Sequence, residues 1–310
     1  MGISDITGVF SRYFIVGYFI PAFFSLALLK VVLSKEWLPS AVEPDTGTAI
    51  LILGAVALLI GLVLLGLREP FLYFVSGYLF VLDIQRWWYR PIRLVGNRMR
   101  ERRRKGFRNL QEAATKKPGE TDEQRRVRKL AKWHANLWFP NAEDKVLPTR
   151  IGNRVRAWED HPRERWSLDT VVVWPRIKTF LTEQEGKLHA DAETDLAFFL
   201  NGALSVFLAG LVMLADLVVN RPHPLWLWWI YALPFVLMYG FYRAAVGAAE
   251  RWGVCVWASI DVHRFDLYTK LGAKSPTTAQ ETMEVGVALN RFLLYGKPLP
   301  DDVRAVPKQP

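Results

Sequence analysis

The sequence predicts an all-α integral membrane protein with four transmembrane helices in two hairpins and a helical cytoplasmic domain. Three observations predict it: four long apolar runs, a basic block between the second and third, and outer connections that are acidic or very short. The runs are Tyr13–Leu33, Thr48–Leu67, Leu196–Val219 and Leu225–Ala249. About 20 residues at a rise of 1.5 Å cover a hydrocarbon core of roughly 30 Å, and each run reaches that length. The second run carries no charge, and the others carry one ionisable residue each: Lys30, Asp216 and Arg243. Core helices of soluble proteins are apolar along one stripe instead of all round.

Charge sets the orientation. Residues 84–195 hold 26 Lys+Arg against 16 Asp+Glu, a surplus equal to the +10 of the whole chain. The loop at 34–47 is net acidic, with Lys35 against Glu36, Glu43 and Asp45, and the outer turn of the second hairpin is only Asn220–Pro224. Basic loops stay inside, so the central block and both termini are expected in the cytoplasm. The first apolar run is longer than a signal-peptide core and no A-x-A-like site follows it, so it is expected to be retained. Cys255 is the single cysteine, which excludes an intrachain disulfide.

In order along the chain, residues 1–83 form the first hairpin plus an interfacial segment. Phe71–Leu82 is apolar but too short to cross, and is expected near the inner leaflet. Pro70 is expected to break or kink the helix after Leu67. Residues 84–195 form the basic cytoplasmic domain. Its first stretch places Trp87 and Trp88 beside Arg86, Arg90, Arg93, Arg98, Arg100, Arg102, Arg103 and Arg104. Aromatics followed by arginines suit a membrane interface, so these residues form the candidate lipid- or anion-binding site. Thr121 and Gln124 make a capping box for a helix to about Trp138, with Val127, Leu130, His134 and Leu137 as its apolar stripe. Thr149 caps a second helix that carries Ile151, Val155 and Trp158 on one face and Asn153, Arg156 and Asp160 on another. The run Leu168–Trp174 is expected to end at Trp174-Pro175. Thr182 with Glu185 opens a helix expected to continue into the third span.

Residues 196–249 form the second hairpin. Gly240, Ala244 and Ala248 make a small-xxx-small row suited to close helix packing, within the chain or in a homo-oligomer. Residues 250–310 form cytoplasmic C-terminal helices, one opening at Ser275-Pro276, carrying Met283, Val287 and Leu294 and ending near Gly296. A Pro-rich, disordered tail is expected from Lys297.

The stretch reading Leu147-Pro148-Thr149-Arg150-x-Gly152-Asn153, then Arg156-Ala157-x-Glu159-Asp160 and Trp174-Pro175-Arg176, resembles a group of uncharacterised bacterial multi-pass membrane proteins. The resemblance also takes in the segment from Arg68 to Tyr78. It implies a bacterial plasma (inner) membrane and carries no activity.

No catalytic constellation, metal site or cofactor is expected. Asp216 and Lys30 lie near the outer interface and Arg243 near the inner one, which suits anchoring more than ion coupling. His189, Asp191, Glu193 and Asp195 fall on diverging helical faces, and Asp261, His263 and Asp266 earn the same discount. Cys255 lacks a local base. Nucleic acid is an unlikely partner, since topology already accounts for the basic charge. The leading expectation is therefore a non-enzymatic membrane module, an oligomer whose basic domain binds anionic lipid or a cytoplasmic protein partner. A channel or permeabilising effector, with Ser25, Asn201, Ser205 and Tyr239 lining a pore, is the second. A membrane-embedded enzyme, requiring Glu69, Asp83 or the 189–195 cluster to converge, is the third.

Overall fold

The computed structural model describes residues 11–32, 46–81, 90–116, 118–219 and 228–305. Every regular element among them is helical, apart from an isolated bridge between Ala273 and Arg304. Four of the helices are long and apolar enough to cross a membrane. The chain divides into two compact units, Met1–Phe71 with Ala190–Ala248 and Leu72–His189 with Ala249–Pro310.

In the first unit, α1 comprises an opening turn Arg12–Phe14, a π-helical stretch Ile15–Phe19 and an α-helical run Ile20–Val32. The wider π turns free backbone carbonyls from their usual partners. Asn201 Nδ2 donates to the Gly17 carbonyl at 2.8 Å, so a buried carboxamide is committed to that break. Helix α2 is Thr46–Gly66. Pro70 has no N–H to give the Gly66 carbonyl, and the chain turns at Leu67 before α3, Arg68–Ser76, begins. Phe14, Tyr18 and Leu64 form one core cluster, and Met213, Leu217 and Tyr231 another.

Helix α8, defined below by its cap, runs unbroken over Glu183–Val219, and α9 over Trp228–Lys270. At 1.5 Å per residue their 37 and 43 residues extend about 55 and 65 Å. Asp216, expected as an interface anchor, is instead buried, and the Tyr231 hydroxyl donates to its Oδ2 at 3.3 Å. A carboxylate withdrawn from solvent requires such donors, and a helix neighbour supplies one.

The second unit begins at Leu72 within α3; just past the helix end, Gly77, whose φ is 85°, turns the chain into a short 3₁₀ segment, Tyr78–Val81. Helices α4, Arg90–Ala114, and α5, Asp122–Trp138, form a hairpin closed by an edge-on contact of Phe107 with Phe139. The Thr121–Gln124 capping box is present in both directions. Helix α6, Arg150–Trp166, starts at the Thr149 cap and buries Ile151, Val155 and Trp158. The polar stripe assigned to its other face is also partly interior, because Asn153 and Asp160 are buried too.

Helix α7, Thr170–Ile177, departs from expectation by passing through Pro175 instead of ending before it. Asp169 caps its first turn, and the Lys178 N–H still reaches the Trp174 carbonyl at 3.0 Å. The Thr182–Glu185 capping box opens α8. The last helix, α10, is Ala279–Tyr295 and starts three residues later than Ser275-Pro276 suggests. The Thr278 hydroxyl accepts from the Glu281 N–H at 3.1 Å, a better cap than the proline turn offers. Its buried residues are Val285, Gly286, Ala288 and Leu289, while Met283, Val287 and Leu294 face outward. Residues 297–305 are ordered, against the composition-based expectation: Leu299 and Val303 are buried, and Lys274 N–H donates to the Val303 carbonyl at 2.8 Å. Residues 306–310 lie outside the described residues.

Candidate membrane-surface site

Helix α4 turns a defined face outward. Gly96 packs so closely on Phe80 that an added Cβ would sit 2.6 Å from the Phe80 Cβ, and Phe107 is buried on the same side. At 100° per residue this rotation directs Arg90, Leu94, Val95, Arg98, Arg102 and Lys105 to the opposite side, and all six are exposed. Leu94 at 61 % and Val95 at 52 % exposure are large apolar side chains standing among four cations.

The ten residues chosen from sequence therefore separate. Arg90, Arg93, Arg98 and Arg102 are exposed. Arg100 is structural: its Nε donates to the Val146 carbonyl at 2.8 Å and its guanidinium also reaches the Asp144 carbonyl. Burial, and then the neighbouring Arg104, push its pKa down. Arg104 pairs with Glu101 at 2.8 Å, and Arg103 is half-buried. Arg86, Trp87 and Trp88 lie outside the described residues. Lys105, Leu94 and Val95 were missed as site residues; their spacings of seven, four and three residues from Arg98 were the available signal.

On α5 the structure corrects the stripe. Val127 and Leu130 are exposed, and the buried positions are Ala131, Ala135 and Leu137. Small alanines let the α4 backbone approach, which larger side chains would prevent. Trp133 is exposed as well, beside the exposed Arg126 and Lys129. Both helices of the hairpin thus present mixed basic and apolar surface.

The Leu147–Asn153 motif is a staple. Asn153, 1 % exposed, accepts from the Leu147 N–H at 2.7 Å and donates to the carbonyls of Leu147 at 2.8 Å and Thr149 at 2.7 Å. The Thr149 hydroxyl caps Gly152 at 3.0 Å. Deeper along α6, Lys145 Nζ reaches both oxygens of the buried Asp160, at 3.1 and 3.2 Å. Arg154 lies over the Trp138 ring and pairs with Glu250 at 3.0 Å. Burial lowers its pKa to about 10 despite that carboxylate, with Arg150 and Arg103 adding repulsion. Burial raises the Glu159 carboxyl and lowers the His161 imidazole. A polar cleft of about 160 Å³ runs beside Gln111, Asn136, Asn141, Asp160, His161 and Glu164.

The carboxylate clusters diverge. His189 bonds Ser259 at 2.8 Å, Asp191 pairs with Arg12 at 2.7 Å, and Glu193 pairs with Arg68. Arg68 also lies 3.8 Å from Glu69 and over the Tyr13 ring. Asp261 takes the Trp166 indole N–H at 2.5 Å and Arg165 at 3.1 Å, leaving His263 to other partners. Asp83 lies outside the described residues. Among the described residues no three His, Cys, Asp or Glu side chains are grouped to hold a metal.

Of the candidate pore residues, Ser25, Asn201 and Ser205 are buried inside the first unit, and Asn201 is spent on Gly17. Along the small-residue row, Ala248 is fully buried, Ala244 is half-buried, and a Cβ added at Gly240 would meet nothing within 4 Å. Comparison with family models, curated proteins and solved structures finds no match.

Proposed function

We propose that this chain is a non-enzymatic, multi-pass protein of the bacterial inner membrane whose basic helical unit engages anionic lipid headgroups through α4. Its termini and basic unit face the cytoplasm by the positive-inside rule. The observation that carries the reading is the exposed face Arg90, Leu94, Val95, Arg98, Arg102 and Lys105. Cations that flank shallow apolar side chains match the boundary between phosphate headgroups and acyl chains. Each basic residue near an anionic leaflet contributes about 1 kcal/mol. Charge complementarity favours lipid over a protein partner here, because the face holds four cations against one acid, Glu101, which pairs with Arg104.

The purified chain in neutral detergent tests this. Phosphatidylglycerol is expected to raise its unfolding temperature, and phosphatidylcholine is not. Replacing Arg98 and Arg102 with Gln removes about 2 kcal/mol, so the apparent affinity for phosphatidylglycerol falls about 30-fold. Equal response to the two lipids, or an unaltered response in the double variant, defeats the proposal.

Gly240 supports a second element of the reading, self-association. Gly240 has nothing within 4 Å of an added Cβ, and with Ala244 one turn on it leaves the small-residue surface that close packing of a second copy requires. Gly240→Leu is then expected to convert the detergent-solubilised oligomer to a smaller species by light scattering.

A further inference from the structure

His263 sits between two carboxylates. Its Nε2 lies 3.2 and 3.3 Å from the oxygens of Glu185, and its Nδ1 lies 3.1 Å from Asp266 Oδ2. The side chain is only 12 % exposed. Ionised carboxylates accept and do not donate, so both ring nitrogens are satisfied only when both carry protons. A neutral ring would turn one lone pair toward a carboxylate.

The partners are themselves fixed. Glu185 closes the capping box at the start of α8, taking the Thr182 N–H at 2.8 Å and the Thr182 hydroxyl at 2.9 Å. As an acid in the first turn it is also favoured by the helix dipole. Asp266 lies one turn along α9 from His263. Other charges nearby are engaged elsewhere: Lys187 of α8 pairs with Glu183 at 2.7 Å, Arg165 of α6 pairs with Asp261, and Arg264 lies over the Trp166 ring. Glu185 and Asp266 are the charged groups acting on the imidazole. Near neutral pH the histidine is the member of this trio whose charge changes.

We propose that His263 is a proton-operated latch: as the imidazolium it clamps the first turn of α8 to the C-terminal part of α9, and loss of its proton releases that clamp. Acid closes the latch and alkali opens it. The sign follows from the geometry, since the folded arrangement binds the proton more tightly than an exposed histidine does. Stabilisation from the clamp is therefore complete on the acid side and disappears as pH rises through the titration of the folded state.

The test uses the full chain in lipid nanodiscs with Cys255→Ala, and nitroxide labels at Lys187→Cys and Lys270→Cys. Between about pH 6 and about pH 9, the spin–spin distance distribution is expected to broaden and shift outward. His263→Gln, a neutral amide of similar reach, is expected to show the open distribution at both values, and Glu185→Gln to lose the pH response. A distribution that does not change with pH in the histidine-containing protein overturns the latch. So does an undiminished pH response in His263→Gln. The first outcome requires no variant at His263, so the proposal stands or falls even if that substitution prevents folding.

Discussion

The α-carbon of Gly152 lies directly against the backbone carbonyl oxygen of Ser76, leaving no volume for a side chain. That contact seats the first turn of α6 on the end of α3. Because the obstacle is backbone, it cannot rotate away. Gly152→Ala is expected to destabilise the chain by about 3 kcal/mol, read as a lowered denaturation midpoint in detergent. Gly240→Ala, where nothing is met, should change monomer stability by less than about 0.5 kcal/mol. Equal effects at the two glycines would refute the packing argument.

Asn153→Ala tests the staple on the 147–149 loop. Three hydrogen bonds vanish, and the Leu147 N–H and carbonyl lose these bonds in a site closed to water, while the Thr149 carbonyl keeps the backbone N–H of residue 153 at 3.3 Å. The expected cost is about 3 kcal/mol. Asn153→Asp should also destabilise, since a carboxylate accepts from the Leu147 N–H but repels the two carbonyls. A midpoint unchanged in both variants would show that water replaces the side chain.

His161 predicts acid sensitivity. Its ring is half-buried, 4.2 Å from the Trp257 centroid, and burial lowers its pKa. The folded state then binds this proton less readily than the unfolded chain, so the contribution is present above the ordinary histidine value and lost as pH falls through the folded one. Between about pH 6.5 and about pH 5, stability should decline more steeply in the native chain than in His161→Phe, which keeps the ring packing without a titrating group. Parallel curves would contradict this assignment. His263 acts in the opposite direction, which makes the two histidines separable by single substitution.

Arg68 and Glu193 should matter more than Arg12 and Asp191. The Arg12–Asp191 pair is well exposed, with side chains 75 % and 52 % accessible, whereas Glu193 is 17 % accessible. Solvent screens the first pair to a small contribution. Glu193→Gln is expected to lower the unfolding temperature measurably and Asp191→Asn to leave it near the native value. The reverse order would show that Arg68 is held by its contact with the Tyr13 ring alone.

Helix caps were the most legible features. Thr121 and Thr182 open helices where their hydroxyls and the amide or acid three residues on predict, and Thr149 where its hydroxyl alone does, because capping is decided within four residues. Length and apolarity of the spanning runs are likewise local sums. What escaped was rotation. On α5, Val127 and Leu130 of the expected stripe point outward while Leu137 and the alanines point inward, since the partner helix, not the periodicity alone, decides which side is covered. The same holds for α10. Burial of Asp216 is matched by a donor on the next helix, Tyr231, which no local pattern reports; Asn153 is buried against the preceding loop, a backbone contact that side-chain periodicity does not report. In the candidate site, basic character was evident but the division into exposed Arg98 and Arg102 and structural Arg100 was not. That division follows from Gly96 meeting Phe80, a contact between separate elements.

The second unit is assembled from two stretches separated by the whole of residues 190–248. During synthesis, residues 72–189 emerge before the segment that covers Trp158, Trp166 and the start of α7. At about 5–20 residues per second, the ribosome needs roughly 6 to 24 seconds to travel the 121 residues from 190 to 310. Throughout that interval the nascent arginine-rich segment exposes its indole and aliphatic faces with no C-terminal helices to shield them. A chain released early, at a stop just after residue 249, is thus expected to be a substrate for proteolytic quality control, even with every apolar run already made.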